Sequence, residues 1–218
     1  SDLNQLQLYD KNIKQVKKPS LLIAGCGTGQ HSIYEAVRFK NSNVTAIDLS
    51  LSSLAYAIRK TKDLKLNNIQ YKHADILNLQ NFKNKFDIIE TVGVLHHMKY
   101  PMKGWRILTS CLKKGGIIRL GLYSEIARKH IVNIRKEIKN LAIVSNDAEM
   151  KLFRKKIINS NSFDHELVKD SADFYTLSTL RDLLFHVQEH RFNLIEIKEN
   201  LSELGVRFCG FEDEKLIK

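Results

Sequence analysis

The sequence has few cysteines, no long apolar run and no secretory leader pattern. Three cysteines, Cys26, Cys111 and Cys209, lie far apart and form no CxxC pair, so neither a disulfide framework nor a zinc site is indicated. No apolar stretch approaches the roughly 20 residues that span a bilayer. Residues 1–12 also lack the apolar segment of a signal peptide. We therefore expect a soluble, cytoplasmic protein with no membrane partner.

The excess of basic residues is large but diffuse. The net charge is +11; residues 1–125 hold 19 Lys and Arg against 9 Asp and Glu, and residues 126–218 hold 16 against 15. Most of the lysines are scattered among polar positions, and no RNA-binding motif or aromatic-interleaved basic strip accompanies them. A nucleic-acid partner is therefore not favoured.

Apolar runs alternate with helical patterns over the first 124 residues. The helical patterns cover residues 30–39, 50–62 and 102–111, and the predicted strands are residues 21–24, 44–47, 69–72, 87–92 and 117–122. This alternation predicts an α/β fold: a Rossmann-like, doubly wound and mostly parallel sheet with helices on both faces. Ligands of such sheets bind at the carboxyl ends of the strands.

The pattern after residue 124 is helical and more polar. It predicts a helical insertion after the fifth strand, then a final helix at residues 193–204 and a sixth strand at residues 206–210. The sequence begins without methionine and leaves no room for a seventh strand, so we expect it to be part of a longer protein. The predicted divisions are an N-terminal arm at residues 1–20, a cofactor-binding core at 21–124, a substrate-binding insertion at 125–192 and the end of the core at 193–218.

The most informative motif is a glycine turn directly after the first predicted strand. Gly25, Gly27 and Gly29 occupy alternate positions, and the next strand ends in Asp48. Glycines allow a ligand to approach the backbone closely, and a carboxylate at that strand end suits a ribose diol, so we predict a nucleoside-containing cofactor. The turn lacks the third glycine of a dinucleotide site and the Lys-Ser/Thr ending of a phosphate-binding loop. A ligand without phosphates is favoured.

Four motifs in order resemble those of the class I S-adenosylmethionine-dependent methyltransferases. They are GCGTG, HADIL, FDIIETVGVLHHM and LKKGG, all between residues 21 and 124. The segment DLLFHVQEHRF is also similar to a bacterial subgroup in which this domain often follows tetratricopeptide repeats, although the 34-residue period of those repeats does not occur here.

The resemblance implies S-adenosylmethionine as methyl donor and S-adenosylhomocysteine as product. It implies that Asp48 binds the ribose hydroxyls and that Asp75 lies near the adenine. Many relatives carry an acidic residue two positions before the first glycine, where it helps to order the methionine end of the cofactor; Ile23 stands there instead. The amino group must therefore find another partner. The implied cofactor-binding residues are Gly25, Cys26, Gly27, Thr28, Gly29, His31, Asp48, Leu49, Ser50, Asp75, Ile76, Val92 and Gly93.

Methyl transfer from a sulfonium requires in-line alignment and removal of a proton from the acceptor. The candidate catalytic residues are His97, Tyr123, His186 and His190. His186 and His190 share a face if their segment is helical. The sequence HVQEH lacks the H-E-x-x-H order and an evident third ligand, so no metal site is predicted.

Three functions stay open at this point. The favoured one is methyl transfer to an unidentified acceptor, a small molecule or a protein. A non-catalytic cofactor-binding sensor or scaffold is consistent with Ile23. An RNA methyltransferase has less support, because no N-P-P-Y or D-P-P-Y run follows the fourth strand. The apolar stripe of Ile131, Ile134 and Ile138 indicates either the core of the insertion or the seam of a homodimer.

Overall fold

The computed structural model describes residues 16–186 and 188–212 of the chain. Contacts divide the chain into two units, Ser1–Leu122 with Leu194–Lys218, and Tyr123–Asn193. Most of the predicted N-terminal arm lies outside the described residues. Within them, no helix is both long and apolar enough to cross a membrane.

A five-stranded sheet forms the centre of the first unit. All neighbouring strands pair in parallel, in the order β3-β2-β1-β4-β5. The predicted Rossmann-like α/β fold is confirmed. The chain reverses its direction of travel across the sheet between β1 and β4, and ligands of such sheets bind in the crevice at that point. The strands are β1 Ser20–Ala24, β2 Asn43–Asp48, β3 Ile69–His73, β4 Phe86–Val92 and β5 Leu112–Gly121.

Eight α-helices follow or separate the strands in the described part of the chain. Three of them lie between strands, four belong to the second unit, and the last returns to the first unit. Ser50 caps α2, since its hydroxyl accepts a hydrogen bond from the Ser53 N–H. The helices are α1 Gln30–Arg38, α2 Leu51–Asp63, α3 Pro101–Cys111, α4 Lys129–Asn140, α5 Asp147–Ile158, α6 Phe163–Lys169, α7 Leu177–Phe185 and α8 Leu194–Glu203.

Both faces of the sheet are buried by helices. Alternate residues of a strand point to opposite faces, and β1 is apolar at every one of residues 21–24. Leu21 and Ile23 pack in one cluster with Ala36 of α1 and Leu54 of α2. Leu22 and Ala24 pack in the other, which includes Trp105, Leu108 and Cys111 of α3 and partly buried side chains of α8. A strand buried on both sides explains the continuous apolar run.

The predicted sixth strand is wrong. Residues 206–210 form no ladder with the sheet in the part of the chain that the structure describes. Gly205, with φ of 65°, ends α8 as a left-handed cap, and the Val206 N–H donates back to the Leu201 carbonyl at 3.0 Å. The Phe208 ring packs on Phe211, with centroids 4.9 Å apart. These local contacts replace strand pairing.

The second unit has its own apolar core. Ile131, Ile134 and Ile138 of α4 are all buried in one cluster with side chains of α5, α6 and α7. The stripe is therefore core of this unit, and the alternative of a dimer seam is wrong for these three residues. Helix α4, which carries the stripe, begins at Lys129.

Replacing Ile134 by alanine should lower the free energy of unfolding by about 2–5 kcal/mol, because a buried isoleucine loses its contacts and leaves a cavity. Ile134 is 1% exposed, whereas Leu152 of α5 is 68% exposed. Leu152→Ala is the matched control and should change the free energy of unfolding by no more than about 0.5 kcal/mol. Urea denaturation followed by circular dichroism measures both, and equal effects would contradict the assignment of this core.

Candidate functional site

The glycine turn connects the carboxyl end of β1 to the start of α1. Gly25 has φ of 81°, and a Cβ there would lie 2.1 Å from Val94 Cγ2; Gly29 has φ of 89°, and a Cβ there would lie 2.6 Å from the Ala57 Cβ. Both positions combine a left-handed backbone with a close neighbour, so only glycine fits. The turn is thereby packed between the segment after β4 and helix α2.

Asp48 fixes the turn to the end of β2. Its Oδ2 accepts a hydrogen bond from the Gly27 N–H at 2.7 Å, and its Oδ1 accepts one from the Ser50 N–H at 2.8 Å. The Gly25 and Cys26 N–H groups also donate to the Ile47 carbonyl, each at 2.9 Å. Each carboxylate oxygen can accept more than one hydrogen bond, so Asp48 keeps capacity for a ligand.

The ends of β1 and β4 border open space. A Cβ at Gly27 or Gly93 would meet no atom within 4 Å among the described residues. Val92 at the end of β4 is 48% exposed, and Leu49 after β2 is 65% exposed. Backbone groups, apolar side chains and the Asp48 carboxylate therefore lie beside this open space.

The second predicted carboxylate lies after β3. Asp75 caps the short helix Ile76–Phe82, since its Oδ1 accepts a hydrogen bond from the Leu77 N–H at 2.9 Å. Ile76 is buried. The Ala74 N–H donates to the Asp48 carbonyl at 3.2 Å, so the loops that carry the two carboxylates are connected.

Cys26 and Thr28 occupy the positions between the glycines. Thr28 is exposed, whereas Cys26 is buried. Burial, together with the negative charge of Asp48, raises the pKa of the Cys26 thiol to about 12. Cys26 is therefore a neutral, small side chain of the turn rather than a nucleophile.

A charged cluster lies on the face of the sheet that α1 covers, next to the first turn of this helix. Glu90 of β4 contacts His31, the second residue of α1, through Oε2 and Nε2. Arg119 of β5 donates from Nη1 to the same Glu90 oxygen at 3.0 Å. Glu35, one helical turn after His31, is 1% exposed. We call His31, Glu35, Glu90 and Arg119 the β4 cluster.

The β4 cluster sets the protonation of its members. Burial alone would raise the pKa of Glu90, but the hydrogen bonds and charges of His31 and Arg119 outweigh burial and hold this pKa below its usual value. The hydrogen bond to Glu90 raises the pKa of His31. Burial and the negative charge of Glu90 raise the pKa of Glu35. Glu90 is the ionised carboxylate of the group.

The same side chains offer the donor types of a divalent cation site. Ligand atoms of His31, Glu35 and Glu90 lie within 4.8 Å of one another. Arg119 Nη1, however, lies 3.2 Å from His31 Nε2 and bonds the Glu90 oxygen, so its guanidinium takes the place that a cation would need. The expectation that the chain has no metal site stays a prediction.

The candidate catalytic residues belong to both units. His97 lies in the short helix Leu95–His97 after β4, and its ring packs edge-on against His96 with centroids 4.3 Å apart. Tyr123, His186 and His190 belong to the second unit. There, the Arg128 guanidinium lies 3.7 Å from the Tyr123 ring centroid, and burial raises the pKa of the Tyr123 hydroxyl.

Glu189 is the centre of a second charged cluster, within the Tyr123–Asn193 unit. Its carboxylate pairs with Arg128 at 2.7 Å, Arg135 at 2.9 Å and Arg191 at 3.6 Å, and its side chain is 1% exposed. Burial would raise the pKa of Glu189, but the bond from Arg128 and the three positive charges hold it below its usual value. The pairs with Arg128 and Arg135 attach the HVQEH segment to α4.

His186 and His190 do not lie on a helix. Helix α7 ends at Phe185, and His186 is extended, with ψ of 133°. Residues 188–191 are not helical, because Glu189 turns inward to the arginines. The Gln188 N–H donates to His186 Nδ1 at 3.2 Å, and Gln188 Nε2 lies 3.4 Å from His190 Nε2.

Sequence reasoning missed Glu35 and Glu90 as site residues. A signal was present: Glu90 is a charged residue inside the apolar run of an internal strand, and Arg119 follows the apolar Ile117 and Ile118 near the carboxyl end of the next strand. Buried charges are rarely tolerated without partners. The two positions are register partners in the parallel pair of β4 and β5, which the sequence alone does not reveal.

The contact between His31 and Glu90 should make stability depend on pH. The pKa of His31 is raised on folding, so its contribution is fully present below about pH 6.5, the usual histidine pKa, and is lost as the pH rises through the folded value. Glu90 stays ionised over that range. His31→Gln should therefore destabilise the protein more at pH 5.5 than at pH 9, as measured by urea denaturation.

Glu90→Gln provides the control for the His31 prediction. In that background, His31→Gln should lose most of its pH-dependent effect, because the carboxylate that holds the imidazolium is absent. An equal effect of His31→Gln with and without Glu90 would contradict the assigned contact.

Known proteins are similar to the part of the chain that carries the glycine turn and the sheet. Residues 21–116 match the family described as "Methyltransferase domain". An uncharacterised protein of Synechococcus is 28% identical over 210 residues, covering 91% of this chain and 50% of that protein. An (S)-coclaurine N-methyltransferase of Papaver somniferum is 28% identical over 118 residues, covering 54% of this chain and 33% of the enzyme. The chain thus spans about half or less of these relatives' length.

Solved structures agree on the fold. PKMT2 from Rickettsia typhi, solved in complex with AdoHcy, superposes with a TM-score of 0.73 at 21% identity, covering 90% of this chain and 40% of that one. At this identity the likeness concerns the fold. The family match lies on the part of the chain that forms the parallel sheet.

Proposed function

We propose that this chain contains the cofactor-binding part of a class I S-adenosylmethionine-dependent methyltransferase whose acceptor is a small molecule or a protein. The observation that carries the proposal is the Asp48 carboxylate at the end of β2, which holds the glycine turn after the neighbouring β1 and retains acceptor capacity. The family match at residues 21–116 supports the same conclusion.

The residues present fit such a cofactor. Asp48 binds the ribose hydroxyls, and the Leu49 and Ser50 segment borders them. Asp75 and Ile76 hold the adenine, one through its carboxylate and the other through its apolar side chain. Residues 25–29 bind the methionine part through their backbone, next to the open space at Gly27. Val92 and Gly93 lie near the sulfur.

When bound, S-adenosylmethionine supplies an activated methyl group on a sulfonium centre. The protein aligns the acceptor and takes up its proton. His97, His186 and His190 are the bases we propose for that proton. Tyr123 orients the acceptor, since its raised pKa keeps the hydroxyl protonated and able to donate a hydrogen bond.

Asp48→Ala should weaken S-adenosylhomocysteine binding about 10- to 100-fold, because it removes charge-assisted hydrogen bonds to the ribose. Isothermal titration calorimetry measures the dissociation constant. Asp63→Ala at the exposed end of α2 is the matched control and should leave affinity unchanged. Unchanged affinity of Asp48→Ala would contradict the cofactor site, and thermal unfolding checks that the turn survives.

Incubation of the protein with S-adenosylmethionine and cell metabolites, protein extract or RNA should release S-adenosylhomocysteine with one acceptor class. With that acceptor, His190→Gln should lower turnover about 10²- to 10⁴-fold without changing cofactor affinity, as expected for a general base. His130→Gln in the same unit is the control. Binding without release in any fraction would instead indicate a sensor or scaffold, and release only with RNA would indicate an RNA methyltransferase.

A further inference from the structure

The amino-acid end of the proposed cofactor has a positive ammonium group, and the usual position for its acidic partner is apolar here. Ile23 precedes Gly25 by two residues, is 2% exposed and packs in the α1-face cluster. The residue paired with Ile23 across β1 and β4 is Glu90. Register partners in neighbouring parallel strands direct their side chains to the same face of the sheet.

Glu90 therefore carries a carboxylate one strand away from Ile23 and at the same height along the sheet. Gly25 lies two residues, or about 6.6 Å along a strand, beyond Ile23. Val92 likewise lies two residues beyond Glu90. The contact with His31 places the Glu90 carboxylate beside the first turn of α1, which follows the glycine turn directly.

The contacts of Glu90 leave one of its carboxylate oxygens available as an acceptor. Both described contacts of its side chain use Oε2, and Oε1 forms no hydrogen bond within residues 16–186 and 188–212. Glu35 Oε2 is buried and likewise has no hydrogen-bond partner in the described part of the chain. Arg119 is shared with Glu212, which accepts from its Nη2 at 2.7 Å.

Glu90 Oε1 and Glu35 Oε2 thus remain as acceptors beyond the oxygens that His31, Arg38 and Arg119 contact. A partly buried carboxylate oxygen without a hydrogen-bond donor favours binding of a cationic donor, because such hydrogen bonds are charge-assisted. The ammonium group of a bound amino acid is a cation of suitable size, and it arrives attached to the ligand that the adjacent glycine turn holds.

We propose that Glu90, which lies on β4 and not on β1, supplies the negative charge that binds the methionine ammonium group of the cofactor. His31 and Arg119 are positioning residues, which hold the carboxylate through Oε2 and leave Oε1 toward the ligand. The inference rests on the proposed function, and it names the residue that replaces the acidic side chain missing at Ile23.

The test compares two ligands that differ only in the amino group: S-adenosylhomocysteine and its deaminated analogue, which keeps the carboxylate. Calorimetry should show that the unmodified protein binds S-adenosylhomocysteine at least about tenfold more tightly. In Glu90→Gln this preference should fall to about threefold or less, while affinity for the deaminated analogue stays the same or increases because a like charge is removed.

Asp87→Asn is the matched control. Asp87 is an ionised, mostly buried carboxylate at the opposite end of β4, held by Lys113 and Ser20. Its replacement changes the charge of the same strand by the same amount and should leave the preference for the amine unchanged. If the role of Glu90 were only structural, Glu90→Gln would lower the affinity for both ligands equally.

Two further variants cover a failure of Glu90→Gln to fold. Glu90→Asp shortens the side chain by one methylene and should reduce the preference for S-adenosylhomocysteine over its deaminated analogue severalfold. Ile23→Glu combined with Glu90→Ile moves the carboxylate back to β1 and should restore it in part. An unchanged preference in a folded Glu90 variant would overturn the inference. If the unmodified protein binds neither S-adenosylmethionine nor S-adenosylhomocysteine, the proposed function itself fails.

Discussion

The hydrogen bonds of Asp48 are the contacts on which the proposed site depends. One carboxylate holds the Gly27 N–H of the turn after β1 and the Ser50 N–H at the start of α2. Ser50 in turn caps α2, and Ala57 of that helix lies against Gly29. The carboxylate therefore links strand, turn and helix, and a residue assigned to ligand binding also has a structural role.

Much of the first unit could be predicted from the sequence. Its strands are buried on both faces and appear as short apolar runs, and its helices have clear amphipathic patterns with caps such as Ser50. The tail after Gly205 could not be predicted, because alternating apolar residues favour a strand in sequence, whereas the Phe208 and Phe211 rings pack on each other. Local packing decided the outcome there.

Neither charged cluster could be predicted, since each is made by residues distant in sequence. Glu90 and Arg119 meet through strand register, and Glu189 meets Arg128 and Arg135 across about 60 residues. In both cases one ionised carboxylate is held by basic side chains, which offsets the unfavourable burial of its charge. The clusters differ in exposure. Three arginines enclose the Glu189 side chain, which is 1% exposed, whereas the β4 cluster reaches solvent through the partly exposed side chains of His31 and Arg119.

The Cys26 thiol has a consequence for the chemistry of the glycine turn. A sulfur atom stands at the centre of the turn, but burial and the Asp48 charge raise its pKa to about 12. Oxidants and electrophiles react with thiolates far faster than with thiols. The thiol therefore stays protonated at neutral pH, and this protonation slows its reaction with peroxide and alkylating compounds.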